Sequence, residues 1–333
     1  MRTTPSLFLK KTMKNNPSGI PFNKQPLSNE KIIELLSERG MIIDDPKRAE
    51  HYLNFISYYR LSVYMLPFQD KNNYFKKPVS FEKILRLYSF DRRLRLLSMD
   101  ALERIEVAFR TVIINCMSLR CGAFWLKNPD CFHDKNKRNT HASMLKEIQK
   151  QIERQKSAPS LEHYYQAYSL PEIPPAWIVF EILPFGCVSR IYENLKRPYR
   201  KEIAKKFGIE ESILQSWFHA LSILRNSCAH HSRIWNRKYP FKIKKADAFP
   251  ELDAAEGFYA FVLIMDILLK KIVQTPTWTR QLEKTLKEFA DVVNPTSMGF
   301  PCRPSFRQRA AKWFSSAYSN IRRRTISYRP DRK

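Results

Sequence analysis

The amino-acid sequence predicts an all-α protein, and three of its features lead to this prediction. Only 7 of the 333 residues are glycine, which favours long helices over a sheet with many tight turns. The 21 prolines fall mostly between apolar periodic stretches, where proline starts or stops helices. From Phe81 to about Leu119, apolar residues recur every three or four positions, which is the period of an amphipathic helix.

Two capped helices are predicted near the N-terminal end. Ser28 fits the N-cap of a first helix from about Asn29 to Arg39, and Gly40 fits the residue that stops it. Asp45-Pro46 fits an N-cap followed by proline at the first helical position. We expect the helix that starts there to end before Pro67. Its apolar residues are Tyr52, Phe55, Ile56, Tyr59 and Val63.

The long helix predicted from Phe81 has an apolar face and a charged face. The apolar face consists of Ile84, Leu87, Leu94, Leu97, Ala101, Ile105, Ala108 and Val112. The charged face consists of Arg92, Arg93, Arg95, Asp100, Glu103, Arg104, Glu106 and Arg110. Such a face is most often solvated, but it also suits a charged seam against another subunit.

Shorter helices are predicted after the long one. Residues 121–140 form a polar, basic connection, and a helix follows from about His141 to Lys156. After a turn rich in proline, the segment from Trp177 to Leu195 predicts a helix that is interrupted or bent around Pro184-Phe185-Gly186. A short basic helix comes next, and another helix begins near Glu211.

The most apolar stretch, Phe258 to Leu269, predicts a buried helix. Asp266 interrupts it, and it is shorter than the ~20 residues that a membrane span needs. Met1 to Lys14 lacks the continuous apolar core of a signal peptide. We therefore expect a cytoplasmic protein without integral membrane association.

The chain divides into three predicted regions and carries a large positive charge. The regions are a flexible N-terminal arm at 1–25, a helical domain at 26–275, and a C-terminal helix and basic tail at 276–333. The formal net charge of +26 indicates a polyanionic partner, with nucleic acid the leading choice, although a basic surface also serves solubility alone. In the tail, Arg322, Arg323 and Arg324 suit either a helix that binds RNA or a membrane surface, or a disordered segment.

The cysteines predict neither a disulfide framework nor a metal centre. All six are scattered, and none forms a C-x-x-C pair, which is typical of reduced intracellular thiols. Cys131, His133 and His141 lack a fourth ligand at a metal-site spacing. We expect no metal and no cofactor.

The run from Leu224 to Arg237 carries the residues that point to chemistry. A guanidinium such as that of Arg225 can bind a phosphate through two parallel N–H bonds, and an imidazole such as that of His230 can move a proton near neutral pH. These groups suit attack of a ribose 2′-hydroxyl on the adjacent phosphate, which leaves a 2′,3′-cyclic phosphate. Asn226 would orient His230 or bind the phosphate. Arg233 and Arg237 are further candidates for RNA binding.

The spacing of Arg225 and His230 raises a geometric difficulty. Five residues on a straight helix diverge by ~140°, so one helix cannot easily direct both side chains to one phosphate. The long arginine side chain could curl round, the helix could loosen before His230, or a second copy of the motif could complete the site across a two-fold axis. The alternative interpretation is structural, with a polar cluster at a helix end that Trp235 covers.

Together with this motif, several other blocks make the chain resemble the Abi (abortive infection) family of bacterial phage-defence proteins, of the AbiD and AbiF type. The resemblance extends over about residues 24–275 and depends on the order and joint presence of the blocks. They are Ile56-Ser57-Tyr58-Tyr59-Arg60-Leu61-Ser62, Phe90-Asp91-Arg92-Arg93-Leu94-Arg95, Ala101-Leu102-Glu103-Arg104-Ile105-Glu106, Pro174-Pro175-Ala176-Trp177 and Phe185-Gly186.

The Abi family is similar to HEPN proteins, which are all-helical domains whose R-x(4–6)-H motif serves in metal-independent ribonucleases. The resemblance implies a HEPN-like helical bundle with an N-terminal helical extension, in which Arg225 and His230 are catalytic. Asn226 occupies the polar position after the arginine. His231 also satisfies the wider spacing, so the assignment between the two histidines stays open.

The resemblance further implies a toxin-like endoribonuclease, which in some family members is restrained by a small structured RNA. We expect a homodimer, which a second copy of the motif across a two-fold axis predicts, and restraint by a small noncoding RNA or a protein. HEPN toxins that are neutralised by nucleotide transfer carry a tyrosine two residues after the motif histidine, and this chain has Ser232 there. That form of control is therefore not expected. Two other functions stay open: a non-catalytic RNA-binding module, and an interaction protein that senses a phage component or a membrane.

Overall fold

A computed structural model describes residues 25–133 and 140–301, and the prediction of an all-α protein is confirmed. These residues contain twelve α-helices and one pair of two-residue parallel strands. The helices are α1 (Asn29–Glu38), α2 (Pro46–Phe55), α3 (Tyr58–Met65), α4 (Phe81–Cys121), α5 (His141–Arg154), α6 (Pro159–Ala167), α7 (Ala176–Ile182), α8 (Phe185–Asn194), α9 (Arg197–Phe207), α10 (Glu211–Ala229), α11 (Gly257–Ile272) and α12 (Trp278–Glu288). The N-terminal arm and most of the basic tail, with Arg322, Arg323 and Arg324, lie outside the described residues.

The first of two compact units extends to Ile84 and contains α1 to α3 with the two short strands. Strand β1 (Met41–Ile42) pairs in parallel with β2 (Val79–Ser80). The capping predictions are confirmed, because Ser28 accepts a hydrogen bond from the backbone N–H of Lys31, and Asp45 accepts one from that of Arg48.

The helix predicted after Asp45 is wrong in its extent, because the structure divides it into α2 and α3. Ile56 has an extended backbone, and the Ser57 side chain accepts a hydrogen bond from the N–H of Arg60, 3.3 Å away. Ser57 is therefore the N-cap of a new helix. An N-cap serine in the middle of an apolar pattern breaks a helix that periodicity alone would continue.

The second unit begins at Leu85, so it contains most of α4 and all later helices. Its core is rich in aromatic side chains around Phe109 of α4. The Phe109 ring stacks on Phe218 of α10 at a centroid distance of 3.4 Å and contacts Phe185, Tyr192 and Phe207 edge-on. The predicted span of α4 is confirmed, and α10 packs directly against it.

The later helices follow the prediction except for one. The bend predicted near Pro184 divides α7 from α8, and α10 begins at Glu211 as expected. Helix α6 was not predicted, because it has only nine residues, begins with Pro159 and contains three bulky aromatic or imidazole side chains in succession, His163, Tyr164 and Tyr165. Such a short, mixed segment has no clear helical period.

Helix α11 confirms the prediction of a buried helix over the most apolar stretch. Eleven of its sixteen residues are buried, including Asp266, whose carboxylate lies 2.7 Å from the ammonium of Lys270. Burial raises the pKa of Asp266 above its usual value, while the Lys270 charge acts in the opposite direction. Among the described helices, none has the length and apolar character of a transmembrane helix.

Candidate functional site

The motif lies at the C-terminal end of α10. Arg225 and Asn226 lie in the last turns of this helix, and His230 is its C-cap residue. His231 adopts a left-handed backbone with φ of 54°. Its N–H donates to the carbonyl of Cys228 at 3.0 Å, and the N–H of Ser232 donates to the carbonyl of Ser227 at 2.8 Å. This pair of bonds is a Schellman motif, which normally has glycine where His231 stands.

The regular helix end excludes one of the three geometries that the sequence left open. Because α10 stays helical through Ala229, it does not loosen before His230. Arg225 and His230 therefore diverge by ~140° around the helix axis. In the described part of the chain, no hydrogen bond or ion pair joins Arg225 to His230, and both histidine side chains are exposed.

The Arg225 guanidinium contacts a carboxylate of α4. Its Nε lies 3.4 Å from Oε2 of Glu106. The other carboxylate oxygen of Glu106 pairs with Arg110, one turn further along α4. Arg110 also donates to the carbonyls of Phe180 and Leu183, at the C-terminal end of α7. A cation is favoured at that position because the last carbonyls of a helix carry partial negative charge.

This arrangement corrects the expectation for the charged face of α4. The sequence favoured a solvated face, but the side chains of Glu106 and Arg110 are only 12% and 13% exposed, and Arg95 of the same face is 6% exposed. These residues pair with partners inside the same chain. Periodicity assigned them to one face correctly, but it could not show that α7 and α10 cover part of that face.

The cluster of Arg225, Glu106 and Arg110 has two positive charges and one negative charge. The Arg225 side chain is 32% exposed, and its terminal nitrogens form no hydrogen bond within the described residues. Its Nε faces Glu106 without hydrogen-bond geometry, so the contact is a charge pair rather than a directed bond. The guanidinium is therefore oriented by Glu106 and can still bind an oxyanion through its outer edge.

A second carboxylate of α4, Asp91, contacts the segment just after the motif. One oxygen of Asp91 accepts hydrogen bonds from the backbone N–H of Ile234 at 3.1 Å and from that of Trp235 at 2.6 Å. Its other oxygen pairs with Arg95. Asp91 is completely buried, and Ile234 and Trp235 are buried too. The chain after His231 is therefore bound to α4 through a satisfied buried charge.

The two arginines that were predicted to bind RNA after the motif pack against aromatic rings. The guanidinium of Arg237 donates to the hydroxyl of Ser227 at 3.0 Å and lies 5.4 Å from the centre of the Tyr239 ring. The guanidinium of Arg233 lies 5.9 Å from the centre of the Trp235 ring. Both side chains are half-buried, whereas Asn226 is exposed.

Cys228, within the motif, has no nucleophilic role. Burial raises the pKa of its thiol to about 12, and the negative charge of Asp91 adds to the effect. The thiol therefore stays protonated near neutral pH, whereas a nucleophilic cysteine must be a thiolate. The groups left for chemistry at this helix end are the guanidinium of Arg225 and the imidazoles of His230 and His231.

Sequence reasoning missed Asp91 and Glu106 as members of the site. Both lie in blocks that carry the resemblance described above, but Glu106 was placed on the charged face of α4, and Asp91 was assigned to neither face. The available signal was the i, i+4 spacing of Asp91 with Arg95 and of Glu106 with Arg110, which predicts pairs on one helix. That spacing does not show that Glu106 also contacts Arg225, or that Asp91 also accepts hydrogen bonds from the segment after the motif.

Comparison with known proteins gives one match. The sequence signature of the family described as Abi-like protein matches residues 51–236, which is more than half of the chain. The matched range includes Asp91, Glu106, Arg225 and His230 and ends one residue before Arg237. No curated protein sequence and no solved structure shows a significant match.

Replacing Asp91 by asparagine should destabilise the protein by about 3–5 kcal/mol, because the buried guanidinium of Arg95 loses the negative charge of the carboxylate with which it pairs. The segment after the motif should also loosen. We expect hydrogen exchange to show loss of protection at the amides of Ile234 and Trp235, and denaturant unfolding to give the free energy.

Asp100→Asn is the matched control, since Asp100 forms an exposed i, i+4 pair with Arg104 on the same helix. It should cost less than about 1 kcal/mol. Equal effects of the two substitutions would contradict the assigned role of Asp91.

Proposed function

This chain belongs to the Abi-like protein family, and on that basis we propose that it is a metal-independent endoribonuclease of the HEPN type, related to the AbiD and AbiF group. Family membership supports a role in abortive infection. Beyond that role, we propose the reaction, the residues that perform it and the molecules that the protein binds. RNA is the substrate, and the enzyme acts as a toxin-like effector in the bacterial cytoplasm.

The observation that carries the proposal is the state of the Arg225 side chain. Its inner edge faces Glu106, and its terminal nitrogens are unbonded within the described residues. A guanidinium in a purely structural cluster would normally use those donors inside the protein, since buried or half-buried donors without partners are costly. Donors that stay available beside exposed imidazoles suit an anionic substrate.

In the proposed reaction, the side chains of His230 and Arg225 have different roles. The imidazole of His230 takes the proton from the ribose 2′-hydroxyl, whose oxygen attacks the adjacent phosphorus. The bond from phosphorus to the 5′-oxygen breaks, and this oxygen takes a proton from a protonated histidine of the motif, which leaves a 2′,3′-cyclic phosphate and a 5′-hydroxyl. Arg225 binds the non-bridging oxygens, where negative charge grows in the transition state. The need for the 2′-hydroxyl restricts cleavage to RNA.

A homodimer would resolve the divergence of Arg225 and His230 along the regular helix end. In a two-fold assembly, the guanidinium of one subunit can meet the imidazole of its partner at a shared phosphate. The exposure of both histidines leaves them accessible to such a contact. We therefore propose a composite site with two copies of the motif, in which Asn226 orients the imidazole and His231 is the alternative base.

A restraining partner belongs to the proposal, because an unrestrained ribonuclease would harm its own host. A small noncoding RNA or a protein is proposed for this role. Restraint by nucleotide transfer needs a tyrosine two residues after the motif histidine. This chain has Ser232 at that position, so we do not propose that form of restraint.

A non-catalytic RNA-binding module is the second candidate, and one observation favours it. Arg225 pairs with Glu106 and does not contact His230 within the chain. In that case Arg225 would bind phosphate and the histidines would only complete the helix end. The two functions differ in whether bound RNA is cut.

Purified protein should cleave RNA in the presence of EDTA and leave cyclic phosphate ends, and Arg225→Ala or His230→Ala should each lower the rate by about 10²–10⁴-fold. The measurement is the cleavage rate of a labelled RNA, with the ends identified by mass spectrometry. His231→Ala, measured beside His230→Ala, identifies the base.

Two substitutions serve as matched controls for this experiment. His163 is an exposed histidine of α6, and Arg104 is an arginine of α4 that pairs with Asp100 on the surface. His163→Ala and Arg104→Ala should keep the activity of the unchanged protein. RNA binding without cleavage in the unchanged protein, with its inhibitor removed, would favour the binding module instead.

The composite site predicts that two inactive variants restore each other. A mixture of Arg225→Ala and His230→Ala chains, allowed to exchange subunits, should regain about a quarter of the full activity, because half of the dimers contain one intact site of two. The measurement is the cleavage rate after mixing. No recovery, with subunit exchange verified by a size or fluorescence assay, would contradict a site formed by one arginine and one histidine from opposite subunits.

A further inference from the structure

The segment after the motif carries a row of lysines. Between His231 and Ala246 the chain has six lysine or arginine residues and no acidic residue. Lys238, Lys242 and Lys244 are exposed, whereas the residues between them, Tyr239, Phe241 and Ile243, are half-buried. This alternation is the pattern of an extended chain with one side against the protein and the other toward solvent. We call these three lysines the lysine row.

The inner side of the segment is packed against α10 and α11. The Tyr239 ring lies 4.7 Å from that of Phe261, and the Phe241 ring lies 6.3 Å from that of His219. At its end, the N–H of Lys244 donates to the hydroxyl of Ser216 at 3.0 Å. The carbonyl of Lys244 accepts a hydrogen bond from the indole of Trp217 at 2.9 Å. Packing therefore fixes the backbone that presents the lysine row.

The charges of the lysine row are not neutralised inside the protein. Lys245, the neighbour that lies outside the row, pairs with Asp253 at 3.6 Å and donates to its carbonyl. Lys238, Lys242 and Lys244 form no ion pair with any described residue. A row of cations that form no ion pair produces a positive surface potential that attracts polyanions.

The lysine row starts beside the candidate site. Arg237, which precedes it, donates to the hydroxyl of Ser227, three residues before His230 on α10. The row therefore begins next to the last turn of the motif helix. It lies beyond the residues that match the Abi-like family, which end at position 236.

We propose that Lys238, Lys242 and Lys244 bind the phosphate backbone of the RNA strand whose scissile linkage lies at Arg225 and His230. This inference rests on the proposed function and adds the path of the substrate. Lys242 and Lys244 are alternate residues of the chain and lie about 7 Å apart if that stretch is extended, which suits contacts to successive phosphates of one strand. Lys238 precedes a bend at Pro240 and Phe241 and would contact the strand further along. The rings of Tyr239 and Phe241 pack inward, so the row offers cations rather than a stacking surface. Binding along it is therefore independent of base sequence.

The test replaces the three lysines together. The protein is the full chain with His230→Ala, which removes cleavage, and the probe is a labelled single-stranded RNA of mixed sequence. Lys238→Gln, Lys242→Gln and Lys244→Gln together should weaken binding by about tenfold. They should also make the plot of log K, the association constant for the RNA, against log salt concentration less steep by about 2. The reason is that each phosphate contact to a single strand contributes about 0.7 to the magnitude of the slope.

The matched control removes the same charge elsewhere in the same unit. Lys146 of α5 and Lys284 and Lys287 of α12 are exposed, and none forms an ion pair with a described residue. Lys146→Gln, Lys284→Gln and Lys287→Gln together should leave the slope within experimental error. An equal loss of slope in both triple variants would mean that only net charge matters, which would overturn the inference.

Cleavage assays separate this inference from the proposed function. With His230 present, the lysine-row variant should cut a long RNA more slowly, mainly through a higher KM, and should cut a dinucleotide at the unchanged rate. If the unchanged protein cuts RNA and the lysine-row variant binds and cuts all lengths equally well, the inference fails and the nuclease stands. If the unchanged protein binds but never cuts, and the lysine-row variant loses binding, the nuclease fails and the RNA surface stands.

Discussion

Two carboxylates of helix α4 determine the geometry of the candidate site. Glu106 orients the guanidinium of Arg225, and Asp91 binds the backbone that follows His231. They lie 15 residues apart, which corresponds to about 22 Å along the helix. One rigid helix thus contacts the motif on both sides of its histidines. The chain is therefore held against α4 both before and after the two histidines.

Charge balance gives a physical reason for the carboxylates at a site that we propose binds phosphate. The protein has an excess of 26 positive charges, and a cluster of arginines without acids would repel its own members. Glu106 compensates one of the two guanidiniums beside it, and Asp91 compensates Arg95. A single positive charge is left at the edge that faces solvent. A bound phosphate would neutralise this charge, so the local electrostatics would favour binding of the proposed substrate.

Much of the fold could be predicted from the sequence because it depends on local signals. The apolar period of α4, the cap residues Ser28 and Asp45 and the buried stretch of α11 are properties of short segments. The break at Ser57 and the helix α6 were missed because they depend on a cap inside an apolar pattern and on a segment too short to show a period. In the candidate site, the residue types of Arg225 and His230 were visible in the sequence. The roles of Asp91 and Glu106 were not, because a charged residue on α4 gives no sign of which distant segment covers it.

A crystal structure with a bound RNA tests the central claim most directly. The RNA should carry a 2′-deoxy nucleotide on the 5′ side of the scissile linkage, since loss of the attacking hydroxyl prevents cleavage. The account predicts phosphate oxygens about 2.7–2.9 Å from the terminal nitrogens of Arg225, with its Nε still beside Glu106 and a His230 imidazole near the sugar. A phosphate bound away from Arg225, or an Arg225 side chain that must leave Glu106 to reach it, would contradict the account.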